Sequence, residues 1–336
     1  MGSRFLKRIK RENKKFNSGV AGVIRNILEG NYSDIKTAGA LVCLKQHKSP
    51  KSYRKALEVL DEFKRINKAV KDSIEVAYPY RRKSFSPYFL ISAGIVLSLL
   101  PDSKIKVVFH GENAPTAATK DIFDYLNLSP ISTEDSFSML ENLNISFFNR
   151  KIFLPEVSSI THIRVDLNIN DIFCHIERYI NPVGSEFSVG GIRSKRELDF
   201  YTQLLKGRYK RFALIEDREG FPDIVGSTAV HIYGDREEVQ EVDISKFGGK
   251  PFLYRKLDLS SHIEFINNLL SKKLPEYEPL LHINSSVLLY LKGEVSSLQE
   301  GFELSKELFD RYNYEQILRN LQRYTDYLNY KNIYEL

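Results

Sequence analysis

Two cysteines, Cys43 and Cys174, are all that the 336 residues contain. They lie far apart, each within a helical pattern, so neither a disulfide framework nor a metal-ligand spacing is present. A reduced, cytoplasmic setting is the simple expectation. The N-terminus is charged rather than apolar, which argues against a secretory signal. No charged residue occurs from Ser84 to Pro101, a run near the lower length limit of a membrane span. Ser84, Ser86, Pro87, Ser92, Gly94 and Ser98 interrupt it, so it reads as a buried core helix and no membrane partner is expected. Glycine is missing between Gly39 and Gly94. That absence excludes a glycine-rich phosphate cradle in the interval, because such a cradle needs backbone N–H groups brought close to phosphate oxygens. Internal repeats and low-complexity tracts are also absent.

What remains is an ordinary globular composition, 42% apolar and 27% charged, with a net charge of +6. The mild basic excess favours anionic partners. A chain of this length can bury a substantial core in one large domain or two smaller ones.

The chain is organised around residues 74–101, IEVAYPYRRKSFSPYFLISAGIVLSLLP. Ile74, Val76 and Tyr78 alternate as a strand. A loop with Tyr80, Arg81, Arg82 and Lys83 follows, and Ser86-Pro87 is the expected entry to a helix. A strand, a loop and a buried helix in this order are a common way to present a phosphate site. Three consecutive cations between aromatics suit a polyanion, since arginine forks grip phosphates and tyrosines offer stacking faces. The bland alternative is a solvated loop.

Taken in order, residues 3–15 (SRFLKRIKRENKK) carry seven basic groups against one acidic group and predict a basic amphipathic helix. Its candidate phosphate contacts are Lys7, Lys10, Arg11 and Lys14. Val20, Val23, Ile24, Ile27 and Leu28 form a second helical stripe. Ser33 can cap a third helix through Leu44, and Ser49-Pro50 can start a fourth. Beyond Lys71 strands alternate with helices: strands at Ile105–His110, Ile145–Phe148, Phe212–Glu216, Ala229–Tyr233 and Val239–Ile244, and helices near 121–126, 134–143, 158–166, 171–179 and 194–205. Ser194 and Glu197 have capping-box spacing. From about Ser261 the chain is mostly helical, and Tyr324, Tyr327, Tyr330 and Tyr334 recur at a spacing that helix packing explains. The prediction is an α/β fold: a helical subdomain over 1–70, joined in space by helices near 157–180, and a three-layer α/β domain from 71–156 and 183–336.

Several segments together resemble the anthranilate phosphoribosyltransferase family, whose fold (glycosyltransferase family 3) is shared with pyrimidine nucleoside phosphorylases. IRNILEGNYSDIKTAGALVCLKQHKSPKSYRKALEVLDEF resembles its helical domain. VVFHGEN at 107–113 stands where the family has Lys-His-Gly-Asn-Arg. RVDLNINDIFCHIERYINP at 164–182 matches its arginine-rich helix pair, and INSSVLLYLKGEVSSLQEGFELSKELF resembles its C-terminal helices. The resemblance implies a homodimer paired through the helical subdomain. In the enzymes a Gly-Thr-Gly-Gly-Asp loop wraps the diphosphate of phosphoribosyl pyrophosphate, and an adjacent Asp-Glu pair holds magnesium on it. Here Ala77-Tyr78-Pro79-Tyr80-Arg81-Arg82-Lys83 replaces the loop, and of the acidic pair only Asp223 survives, with Glu216, Asp217 and Glu219 nearby. His110 and Gly111 are kept, Asn113 stands in a changed motif, and Arg164 lines up with the arginine used for the acceptor's carboxylate. A sister branch, related to bacterial DNA-binding proteins of this fold, also lacks the glycine loop and carries a Pro, a Tyr and an Arg-Lys pair.

These observations predict a non-catalytic, weakly sequence-specific nucleic-acid binder with no cofactor. Its candidate contacts are Tyr78, Tyr80, Arg81, Arg82, Lys83, His110, Asn113, Arg164 and the basic first helix. The alternative is an active transferase with a rebuilt site, in which Asp223 holds magnesium on the diphosphate of phosphoribosyl pyrophosphate.

Overall fold

The computed structural model describes residues 19–46, 48–98, 105–112 and 119–334. The expected basic helix with Lys7, Lys10, Arg11 and Lys14 lies outside the described residues, as does Asn113.

The N-terminal helices follow the apolar stripes. The first, α1, is described over 19–28 and buries Val20, Ile24, Ile27 and Leu28. Asp34–Gln46 (α2) buries Leu41 and Leu44. Pro50–Phe63 (α3) starts as expected, with proline in its first turn and the Ser49 hydroxyl accepting from Ser52 N at 3.1 Å.

The rest alternates as the pattern implies. In order come β1 (Ser73–Ala77), α4 (Phe89–Leu97), β2 (Lys106–Gly111), α5 (Thr119–Tyr125), α6 (Thr133–Leu143) and β3 (Ile145–Asn149). Then follow four short helices, α7 (Arg150–Phe153), α8 (Pro155–Ser159), α9 (Thr161–Leu167) and α10 (Phe173–Ile176), the last running into a 3-10 turn at Glu177–Tyr179. After them come β4 (Phe187–Ile192), α11 (Lys195–Leu205), β5 (Arg211–Glu216), β6 (Thr228–Tyr233) and β7 (Glu237–Val242). The chain closes with α12 (Leu259–Leu270), α13 (Glu278–Lys292), α14 (Leu298–Arg311) and α15 (Tyr314–Tyr334).

The strands form one seven-stranded sheet in the order β3-β2-β1-β4-β5-β6-β7. From β3 to β5 neighbours are parallel, while β6 and β7 are antiparallel. Side chains on a strand alternate between faces, and the alternation here separates two cores. Ile74, Val76, Phe109 and Ile215 face α4, α12, α13 and α14. Ala77, Val108, Ile192 and Leu214 face α1 to α3 together with α8 to α11. Because β1 lies between β2 and β4, the chain leaves it to one side and later returns on the other. The crevice at the carboxyl ends of β1 and β4 is therefore the topological switch point, where open α/β sheets bind ligands.

Three expectations are corrected. The region of β4 reads as no strand in the sequence because it contains Gly190-Gly191, and glycine is depleted from strands. The glycines are required by close approach: a Cβ on Gly190 would sit 2.4 Å from the Tyr179 hydroxyl, and one on Gly191 2.2 Å from the Phe221 carbonyl carbon. Second, α4 begins at Phe89, not at Ser86-Pro87, and its N-cap Tyr88 makes no side-chain cap. Ser86 instead donates to Glu219 Oε2 at 2.9 Å, and Leu90 N in the first turn donates to Asp223 Oδ1 at 2.8 Å. Third, packing does not account for every C-terminal tyrosine, since Tyr327 and Tyr330 are exposed. Among the described residues no helix is long and apolar enough to cross a membrane.

Candidate functional site

The loop after β1 does not present its three cations together. Tyr78 and Lys83 turn inward and are fully buried. Lys83 Nζ donates to Asp223 Oδ2 at 2.5 Å and to the Pro87 carbonyl at 2.6 Å, while the Tyr78 hydroxyl donates to Asp223 Oδ1 at 2.7 Å. With Leu90 N as a further donor, the Asp223 carboxylate is closed off by an ammonium, a phenol and an amide. Burial raises its pKa against the pull of Lys83. The carboxylate therefore serves as the internal anion at the positive N-terminal end of α4.

The magnesium expectation for Asp223 is corrected on this geometry, because a lysine ammonium already holds the position of a cation. Nor do the neighbouring acids substitute. Glu219 accepts from Ser84 N at 2.8 Å, Phe85 N at 3.2 Å and Ser86 Oγ at 2.9 Å. Asp217 accepts from Glu219 N at 2.8 Å and the Tyr254 hydroxyl at 2.7 Å, and Glu216 accepts from His231 at 2.8 Å. Among the described residues no group of three or more histidine, cysteine or acidic side chains could hold a metal. A magnesium diphosphate does not fit these residues.

His110 is also internal. Its Nε2 donates to Glu75 at 2.9 Å and its Nδ1 accepts from the Tyr80 hydroxyl at 2.5 Å. Glu75 is a fully buried hub that also accepts from Asn181 N at 2.7 Å, from Ser188 and from the Tyr209 hydroxyl. The face of Tyr80 is covered by the Arg150 guanidinium, 4.5 Å from its centroid.

Beside Tyr80 lies a pocket of about 130 Å³ that contains Arg164. Arg164 donates to Asp171 at 2.8 Å and to Glu177 at 3.0 Å, and Arg150 pairs with the same Glu177 and with Glu112 at 2.8 Å. Two arginines thus face three carboxylates. The guanidinium expected to take an acceptor's carboxylate is already neutralised from within.

Arginines without carboxylate partners stand elsewhere along the same edge. Arg81 and Arg82 follow β1, Arg193 follows β4 and Arg218 follows β5, and Arg178 rises from the turn after α10. Among the described residues none of these five has a carboxylate within salt-bridge distance. Arg81, Arg82 and Arg178 donate to backbone carbonyls, of Glu219, Leu257 (2.5 Å) and Gly220 (3.2 Å) respectively. A carbonyl carries no net charge, so each arginine keeps its positive field. Burial and the adjacent Arg193 and Arg178 depress the Arg81 pKa.

Three pockets share these side chains. The first, of about 60 Å³, is lined by Arg81, His175, Arg178, Arg193 and Tyr201. Arg81 and Arg193 also line a second, of about 530 Å³, with Arg82, Phe85, Arg218 and Tyr254. Arg193 and Arg218 continue into a third, of about 740 Å³, where Lys195 and Lys246 stand among Glu216, Asp217 and Asp243. The result is a groove, basic through its first two parts and mixed in charge at its far end. Of the residues expected from the sequence, Arg81 and Arg82 line it. Arg178, Arg193, Arg218, Phe85 and Tyr254 were not among the expected contacts; Arg218 reads as part of a polar turn, and the strand that sets Arg193 in place is masked by its glycines.

No family model matches the chain. Relatives are found among anthranilate phosphoribosyltransferases. That of Metallosphaera sedula is 26% identical over 231 residues, 65% of this chain and 66% of the relative. That of Bacillus cereus is 26% identical over 222 residues, 63% of this chain and 65% of the relative. The matches thus span slightly less than two thirds of these relatives' length. Solved structures align over more of the chain. The anthranilate phosphoribosyltransferase of Thermus thermophilus superposes with a TM-score of 0.77 at 18% identity, covering 92% of this chain and 95% of that one. The Saccharomyces cerevisiae enzyme in complex with PRPP and Mg does so with a TM-score of 0.73 at 15% identity, covering 94% and 93%. The chain therefore has the anthranilate phosphoribosyltransferase fold and is homologous to that family at low identity.

Proposed function

We propose that this protein binds single-stranded nucleic acid in the arginine-lined groove at the carboxyl edge of its sheet, and that it does so without a metal. The observation that carries the reading is the set of five arginines, Arg81, Arg82, Arg178, Arg193 and Arg218, gathered from separate segments and without carboxylate partners among the described residues. Guanidinium forks match phosphate oxygens. Two aromatics beside them, the exposed Phe85 and the half-buried Tyr254, offer faces on which bases can stack. Arg81 and Arg193 carry the groove from one pocket to the next, which suits a chain of phosphates better than a single diphosphate. The Lys83–Asp223 pair and the internally neutralised Arg164 speak against magnesium phosphoribosyl pyrophosphate and a carboxylate acceptor.

The same reading includes a homodimer paired through the N-terminal helices, where Ile35 and Val42 of α2 are exposed; sizing as a monomer would remove that part. The function is tested by paired calorimetric titrations. The expected result is saturable heat on adding a single-stranded oligonucleotide and much weaker binding of phosphoribosyl pyrophosphate, unchanged by magnesium. Saturable heat with the second ligand and none with the first overturns the reading in favour of a transferase.

A further inference from the structure

The small pocket at the head of the groove has features that a passing strand does not require. It lies between α10 and α11 and is about 60 Å³, too small for a sugar and base beside a phosphate. Arg81, Arg178 and Arg193 converge on it, and the Lys48 ammonium is near enough to share their field. Glu197, the one acidic side chain that lines it among the described residues, reaches back to accept from Arg193 N at 2.9 Å. Arg178 is only 4% exposed, yet its Nε has no hydrogen-bond partner among the described residues. Its guanidinium lies against the rings of both Tyr179 and Tyr201, 4.9 and 4.4 Å from their centroids. A buried cation with an unmet donor is costly to keep unless an acceptor arrives. His175 is held neutral, its pKa pushed down to about 3 by burial and by Lys48, Arg178, Arg193 and Arg81. Tyr201 fixes the ring at Nδ1, 2.9 Å away.

We infer that this pocket seats a terminal phosphate monoester, the phosphorylated end of the strand lying in the groove. The inference rests on the nucleic-acid reading given above. A phosphodiester carries one negative charge, whereas a monoester carries about −1.5 to −2 near pH 7 and exposes three oxygens. Several convergent cations in so small a site discriminate in favour of the second. The remaining groove then leads away from the pocket past Arg81 and Arg193 to Arg82, Phe85, Arg218 and Tyr254.

The test uses the full chain and three single-stranded oligonucleotides of one sequence, bearing a 5′-phosphate, a 3′-phosphate or hydroxyls at both ends, titrated by fluorescence anisotropy. One of the two phosphorylated strands is expected to bind about tenfold tighter than the unphosphorylated one, the scale of a charge-assisted fork. Equal affinity for all three overturns the end-phosphate site and leaves the groove reading standing. Failure of every strand to bind overturns both. A mononucleotide 5′-monophosphate that binds as tightly as the phosphorylated strand overturns the assignment to a polymer end. Arg178→Lys keeps the charge and loses the fork, and Arg193→Ala removes an exposed arm of the pocket. In variants shown by melting to be folded, the tenfold preference is expected to collapse, and an unchanged preference overturns the assignment.

Discussion

Lys83 and Asp223 meet at 2.5 Å with both side chains fully excluded from solvent. The contact joins the loop after β1 to the segment after β5, and it puts an ammonium on the carboxylate that resemblance to the enzymes marks as a magnesium ligand. A buried pair of this kind is expensive to break from one side, since the survivor is left as an uncompensated charge. Lys83→Met should therefore lower stability by about 3–5 kcal/mol. Adding Asp223→Asn should recover a sizeable part, because the amide oxygen can still accept from Leu90 N and Tyr78. Denaturant melts of the two singles and the double check this. Strictly additive losses would contradict it.

A second buried network makes a separate prediction. Glu177 accepts from both Arg150 and Arg164. Glu177→Gln should leave two guanidinium groups facing each other across the pocket and cost about 3–5 kcal/mol in the same assay. It should also remove the pocket's surplus negative charge, leaving Arg150 and Arg164 balanced by Glu112 and Asp171. A variant of native stability would show that Asp171 and Glu112 suffice for both arginines.

Acid sensitivity follows from two buried histidines. His262 and His282 have pKa values lowered to about 4, chiefly by burial. His262 donates to the Lys83 carbonyl at 2.8 Å, so its ring braces the same loop. Between about pH 4 and 6.5 the unfolded chain binds protons that the folded chain refuses. Their contribution is thus complete above pH 6.5 and is lost as the pH falls toward 4. By pH 5 each should cost about 2 kcal/mol. Melting temperatures at pH 7 and pH 5 check this, and an unchanged value would contradict it.

The groove predicts a charge-reversal effect. Arg193 and Arg218 are exposed, so Arg193→Glu and Arg218→Glu should leave the melting temperature near that of the parent protein. Each should weaken strand binding across all sequences and reduce the salt slope by about 1. Loss at one base sequence only would point to base readout instead.

Much of the fold was legible because apolar periodicity reports burial. The stripes of α1 to α3, the alternation in β2, β3 and β5 and the uncharged run that becomes α4 all read correctly for type. What escaped was set by distant contacts. Gly190-Gly191 look unlike a strand, and only the approach of Tyr179 and the Phe221 backbone explains them. Nothing local announces that Asp223 caps α4, 133 residues away. The site divided in the same way. Arg81 and Arg82 stood out as a charged cluster and do line the groove. Lys83, adjacent in sequence and identical in charge type, points into the core because a carboxylate from another strand end waits for it. Tyr78, His110 and Arg164 likewise found internal partners. Arg178, Arg193 and Arg218 are scattered along the chain and become neighbours only once the sheet is assembled.

The central claim is that anions are held here by arginine side chains alone. The most direct measurement is the affinity for a single-stranded oligonucleotide at two salt concentrations, each with magnesium and with a chelator. The account predicts that affinity falls steeply with salt, with a slope near −0.7 per phosphate neutralised, and is the same with either additive. Binding that ignores salt, or that disappears with the chelator, would contradict it.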